Sequence, residues 1–112
     1  GAIAGKVVTV SSGPTEIDNV DVSEAFVLKV DTSSNNVTIG GLAGGVNGQV
    51  LHVAKMTAAN TLKLENSEGG GSQNILLCTN ADETVVNYGG WTLVCNGSSW
   101  IAVSSPSGLE DA

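Results

Sequence analysis

Apolar residues along this chain recur with period two in short bursts, and Gly, Asn, Asp or Ser closes each burst. Alternation of that kind places side chains on the two faces of a strand, whereas a helix would repeat its apolar residues every three or four positions. The pattern predicts strands near 6–10 (KVVTV), 24–30 (EAFVLKV), 36–39 (NVTI), 49–55 (QVLHVAK), 61–65 (TLKLE), 74–78 (NILLC), 83–87 (ETVVN), 91–96 (WTLVCN) and 99–103 (SWIAV). Eight or nine short strands at this spacing suit an all-β fold, a small antiparallel β-sandwich or barrel. The same alternation assigns faces. Phe26, Leu28 and Val30 are expected inward with Val27 and Lys29 outward, Leu62 and Leu64 inward with Lys63 and Glu65 in water, and Trp91, Leu93 and Cys95 on one shared face.

Between these runs the turn chemistry is explicit. Asn96-Gly97 joins two strands that each carry a tryptophan, and this dipeptide readily takes the positive backbone angles of a tight hairpin. Asn47-Gly48 marks a second turn ahead of QVLHV. The window AKMTAANTLKL is the nearest to a helix, but its Thr and Asn residues favour turns and its apolar spacing reverts to two at Leu62, so it reads as a turn between strands. SEGGGS at 67–72 reads as a flexible surface loop. An alternating strand runs into a glycine pair in NVTIGG, LKLENSEGG and ETVVNYGG. These pairs read as sharp turns at a sheet rim rather than as a solenoid, because their spacings are unequal and a repeat array needs a near-fixed period.

At 112 residues the chain fits one domain, 1–112, with 1–10 as a candidate N-terminal arm and 104–112 as a flexible acidic tail. Eleven acidic side chains against four lysines and no arginine give a net charge of -7. Nucleic-acid binding draws on clustered Lys and Arg that displace counterions, so this balance argues against a nucleic-acid partner and equally against an anionic membrane surface. No stretch reaches the roughly 18 apolar residues that span a bilayer. The opening GAIAGKVVTV lacks the charged-then-apolar order of a signal peptide, while a first residue other than Met leaves earlier removal of a leader open.

The side chains that carry chemistry do not fall into a recognisable site. His52 is the sole histidine and lies on a strand, facing solvent, without Cys or His at a metal-ligand spacing. Cys78 and Cys95 each sit in an apolar run, as small core side chains or, alternatively, as a cross-strand disulfide worth on the order of 3 kcal/mol. Glu16, Asp18, Asp21 and Glu24 form the densest acidic cluster, a solvated turn that lacks the central glycine of a dedicated calcium loop. Asn36-Val37-Thr38 and Asn96-Gly97-Ser98 match the glycosylation pattern, which matters only in a secreted eukaryotic protein. Tyr88, Trp91 and Trp100 are candidate exposed aromatic contacts that could stack on sugar, although alternating strands also suit them to core or interface packing. No enzyme class, cofactor or metal follows from this inventory.

From about 36 to 103 the order VTIGGLAGGVNGQVLHV, NTLKLEN, SQNILL and GGWTLVCNGSSWIAV resembles a β-rich module of tailed-phage virion proteins, including capsid decoration (cement) proteins and fibres. Gly48-Gln49-Val50-Leu51, Thr61-Leu62, Asn74-Ile75 and Asn96-Gly97 through Trp100 carry the resemblance. Gln73 stands where that module could have a basic residue, and Asn96 where Asp is frequent. The resemblance implies a non-enzymatic homotrimer, made in the host cytoplasm and mounted on the outer capsid surface of the virion, with the major capsid protein as partner. On that reading the segment GAIAGKVV reaches a neighbour, and Ala2, Ile3, Lys6 and Val8 are the candidate shell or subunit contacts. The alternative that the resemblance leaves open is a receptor- or carbohydrate-binding module of a tail fibre or spike.

Overall fold

The computed structural model describes residues 5–11 and 16–106, and every regular element among them is a β-strand. In chain order these are β1 (Lys6–Val10), β2 (Val20–Asp21), β3 (Ala25–Val30), β4 (Val37–Ile39), β5 (Leu42–Ala43), β6 (Val50–Lys55), β7 (Leu62–Leu64), β8 (Asn74–Leu76), β9 (Glu83–Val85), β10 (Gly89–Cys95) and β11 (Ser99–Ser104). Nine of them lie where alternation predicts a strand, while β2 and β5 span only two residues each, too few for a period to show.

Pairing between the strands departs from the expected antiparallel arrangement. β1, β3 and β6 stack in parallel, and so do β4 on β7 and β2 on β5. An isolated parallel bridge joins Ile17 to Ile39, which in turn faces Leu64. The chain therefore winds like a solenoid, visiting three walls in turn: β1, Ile17, β2; then β3, β4, β5; then β6 and β7. Antiparallel pairing enters where the winding is closed off, with β9 on β7 and with β10 between β6 and β11, and β8 adds itself in parallel to β11. The result is a mixed six-stranded sheet, β1-β3-β6-β10-β11-β8, beside a three-stranded sheet, β4-β7-β9, and the β2-β5 pair. Unequal spacing had argued against a solenoid, but the corner loops absorb the difference. Residues 31–36 and 56–61 span one corner with equal lengths, whereas 22–24 and 44–49 turn another with three residues and with six.

Residues 56–61 lie in the AKMTAANTLKL window, which is a turn as expected. Asn60 takes a left-handed backbone (φ 59°) and donates from Nδ2 to the Thr32 carbonyl at 2.7 Å. Lys55 ends β6 buried, donating from Nζ to the carbonyls of Thr57 (2.6 Å) and Ala59 (3.1 Å). Desolvation holds its pKa below the ordinary lysine value.

The three walls enclose one core. Leu28 and Val53 of the large sheet face Val37, Ile39, Leu62, Leu64 and Val85 of the small one, and Val20, Val22 and Leu42 close the third side. Each such side chain contributes about 1.5–3 kcal/mol by leaving water. Leu28, Val30, Leu62 and Leu64 point inward as expected, while Lys63 and Glu65 are half-buried rather than fully in water. Phe26 is the exception on β3. Lys6 pairs with Ala25 and Val7 with Val27, so Phe26 is an extra, unpaired residue, and this bulge shifts the alternation. Ala25 takes the inward place and Phe26 is 38% exposed.

The hairpin between β10 and β11 forms at Asn96-Gly97 with one difference from expectation. Gly97 alone takes the positive φ (98°), and Asn96 instead accepts at Oδ1 from the Ser98 and Ser99 amides at 2.9 and 2.8 Å. Gly48 likewise supplies a positive φ (88°) at the Asn47-Gly48 turn. Lys6–Val10 belong to the sheet as its edge strand, so that part of the expected N-terminal arm is a strand.

Candidate functional site

The residues singled out in the sequence scatter over the fold. Trp91 and Trp100 are both buried and share the inner side of the large sheet with Leu93 and Cys95, whereas Tyr88 is 67% exposed. Of the three candidate exposed aromatic contacts only Tyr88 is exposed, because alternation on β10 and β11 carries both indoles into the core packing it also suited them to. The cysteines are both free thiols. Cys95 is buried, but Cys78 is exposed, just past β8, with its Sγ 3.3 Å from the Ala102 carbonyl. β11 lies between β8 and β10. Two strand spacings, about 9–10 Å, exceed the roughly 7 Å over which a disulfide can reach.

His52 is exposed as expected, and its Nδ1 hydrogen-bonds Thr92 Oγ1 at 3.2 Å. Of the candidate shell or subunit contacts, Lys6 is exposed and Val8 is half-buried against the core opposite Leu28. Ala2 and Ile3 lie outside the described residues.

Winding brings carboxyl groups together that the sequence keeps apart. One residue beyond the Ile17–Ile39–Leu64 column, Asp18, Gly40 and Glu65 follow in step, with the Gly40 amide donating to the Ile17 carbonyl and the Glu65 amide to the Ile39 carbonyl. Gly40 leaves the space a side chain would fill, and Glu16 Oε2, Asp18 Oδ1 and the Glu68 carbonyl crowd into it. Asp18 Oδ1 and Glu65 Oε1 are buried there with no amide, hydroxyl or ammonium donor, which leaves a protonated Glu16 carboxyl to serve these side chains. The Glu16 carboxyl is pushed up to about 7, first by hydrogen bonding with Asp18, then with Glu65, with desolvation and the charges of both neighbours adding. Glu65 also lies near Glu68 and Asp82, and Asp82 is 3.6 Å from Lys63 Nζ. Oxygen ligands of this kind could hold a proton or a hard cation. Of the four acids expected to cluster, Glu16 and Asp18 take part. Asp21 instead accepts from the Ser23 hydroxyl and amide, which hold its pKa below the usual value, and Glu24 occupies the turn before β3. Glu65 was invisible from the sequence, since only the stacking of coils puts it in the Asp18 column.

A pH dependence follows from Glu16. Its unfolded value of 4.5 is raised to about 7 in the fold, so between those values the native state binds more protons than the unfolded chain. The stabilisation it gives is full below about 4.5 and is lost progressively toward 7 as the pH rises through the folded value. Thermal unfolding followed from pH 4.5 to 7.5 is expected to show a falling Tm, and Glu16→Gln is expected to flatten that slope. An unchanged slope in the variant would refute the assignment to Glu16.

At the end of the large sheet an open groove of about 630 Å³ runs past Gly5, Phe26, Gly44, Val46, Gln49 and Val50. Phe26, Val46 (64% exposed) and Val50 (43% exposed) supply its apolar part, beside Ser23, Glu24 and Asn47. Gln49 holds its floor: Nε2 donates to the carbonyls of Val22 (2.9 Å) and Ala25 (2.8 Å), and Oε1 accepts from the Val46 amide at 3.1 Å. The Gly-Gln pair in GQVLHV thus has a physical task, a turn followed by an amide that ties two corners together. Such a groove presents shape and apolar area to another protein. Set against known proteins, the chain matches no protein-family model and no curated protein sequence.

Proposed function

We propose that this chain is a non-enzymatic structural protein of a phage virion, a capsid decoration protein that binds and stabilises the outer shell as a trimer. The groove lined by Phe26, Val46 and Val50 is the observation that carries the reading: its exposed apolar side chains offer a docking surface to another protein. The resemblance over 36–103 supplies the partner, the major capsid protein. Acidic side chains over the remaining surface suit a protein that must stay off packaged nucleic acid. No observation favours the tail-fibre alternative, because a stacking platform for sugar would need Trp91 or Trp100 exposed beside Tyr88, and both are buried.

Adding the purified protein to shells that lack it tests the reading. Retention on the shell with greater heat resistance is the expected result, and Val46→Asp, a change at an exposed groove position, is expected to lower retention at least tenfold. Failure to bind shells, together with attachment to cells or glycans, would overturn it.

A further inference from the structure

The six-stranded sheet has an outer side that none of the other described strands covers. Across it, Val50, Val94, Ile101 and Leu76 stand directly opposite one another on β6, β10, β11 and β8, and each is exposed or half-exposed. The neighbouring row begins with Val7 and Val27 on β1 and β3. Alternation makes this face the counterpart of the core face, so its apolar residues are surplus to what folding needs. In a chain with eleven acidic residues, its three rows of paired positions hold no carboxyl group, and Lys29 is their one charge. We infer that this carboxyl-free outer face of the large sheet is where copies of the chain pack against one another.

Charge selects the occupant. At a net charge of -7, two copies repel through most of their surfaces, and only a face without carboxyls lets them approach closely. A basic partner would be drawn to the acidic walls instead. The area is sufficient as well. Six strands about 4.8 Å apart, with about 3.3 Å per residue along each, give a projected face on the order of 400–500 Å² per copy. Accessible area over protruding side chains is larger than the projection, so three such faces meeting around a three-fold axis together exceed about 1,200 Å², above the roughly 1,000 Å² of a specific interface. The groove shares Val50 with this face and continues past it to Phe26 and Val46.

This inference rests on the trimer reading above, and sedimentation equilibrium of the full chain separates the two. The unaltered protein is expected to sediment as more than one copy at tens of micromolar. Ile101→Glu and Leu76→Glu, each confirmed as folded by circular dichroism, are each expected to weaken association at least tenfold. Two substitutions on different strands guard against the failure of either one to fold. Undiminished association in both folded variants would overturn the assignment of the face while leaving assembly intact. A monomer at several hundred micromolar for the unaltered chain would overturn both.

Discussion

Trp100→Ala is expected to destabilise the protein by about 3–5 kcal/mol, the range for removing a large buried aromatic side chain, against a total stability of about 5–15 kcal/mol for a small domain. Trp100 is fully buried, and its ring occupies the space beside Gly45 that a β-carbon there would need. Its Nε1 donates to Gln73 Oε1 at 3.0 Å. Gln73 in turn grips Gly45 twice, accepting from its amide at 2.9 Å and donating to its carbonyl at 3.0 Å, while its own backbone bridges Leu42. One indole therefore fixes the closing strand β11 to the corner at 42–45. Truncation opens a cavity and loosens that joint together. Trp100→Phe retains most of the volume and removes the donor, so a loss of about 1–2 kcal/mol is expected. Urea unfolding monitored by far-ultraviolet circular dichroism distinguishes the two. A loss below about 1 kcal/mol for the alanine variant would show that the joint is not where the stability lies.

Glu83→Ala is expected to cost about 2–4 kcal/mol through a different route. The Glu83 side chain is buried, and its carboxyl oxygens accept from Trp91 Nε1 (2.8 Å), Thr79 Oγ1 (2.8 Å), the Thr79 amide (3.1 Å) and Ser105 Oγ (3.3 Å). A buried donor that loses its acceptor costs about 1–3 kcal/mol, and the Trp91 indole N–H has no water to turn to. Relief of the buried carboxyl group's desolvation offsets part of that loss, which is why the expected cost stays below the sum of its hydrogen bonds. A double-mutant cycle with Trp91→Phe isolates the pair, and a coupling of about 1–3 kcal/mol is expected. Additive losses would mean that the carboxyl group acts through Thr79 and the 79–82 turn instead.

Strand positions and most inward faces are legible in the sequence because both depend on the side-chain period of a single strand. Leu62 and Leu64 face the core, and so do Trp91, Leu93 and Cys95. Phe26 escapes that logic, since a bulge inserts a residue without altering the composition around it. The turn residues were equally readable: Asn96-Gly97 and Asn47-Gly48 carry their backbone preferences with them. The groove was half legible. GQVLHV stood out as a motif, but the reach of Gln49 to Val22 and Ala25 spans more than twenty residues and leaves no local mark.

Alternation determined that this chain is all-β, where its longer strands lie and most of the residues that fill its core, since each of those properties belongs to a strand by itself. Tertiary structure alone decided that β1, β3 and β6 run parallel, that Asp18 and Glu65 meet over Gly40, and that Cys78 and Cys95 stand too far apart to bond. Backbone amides and carbonyls are the same in every residue, so a strand's sequence says which side is apolar but not which neighbour it will pair with. The choice of partner falls to the winding that best covers all the apolar faces at once.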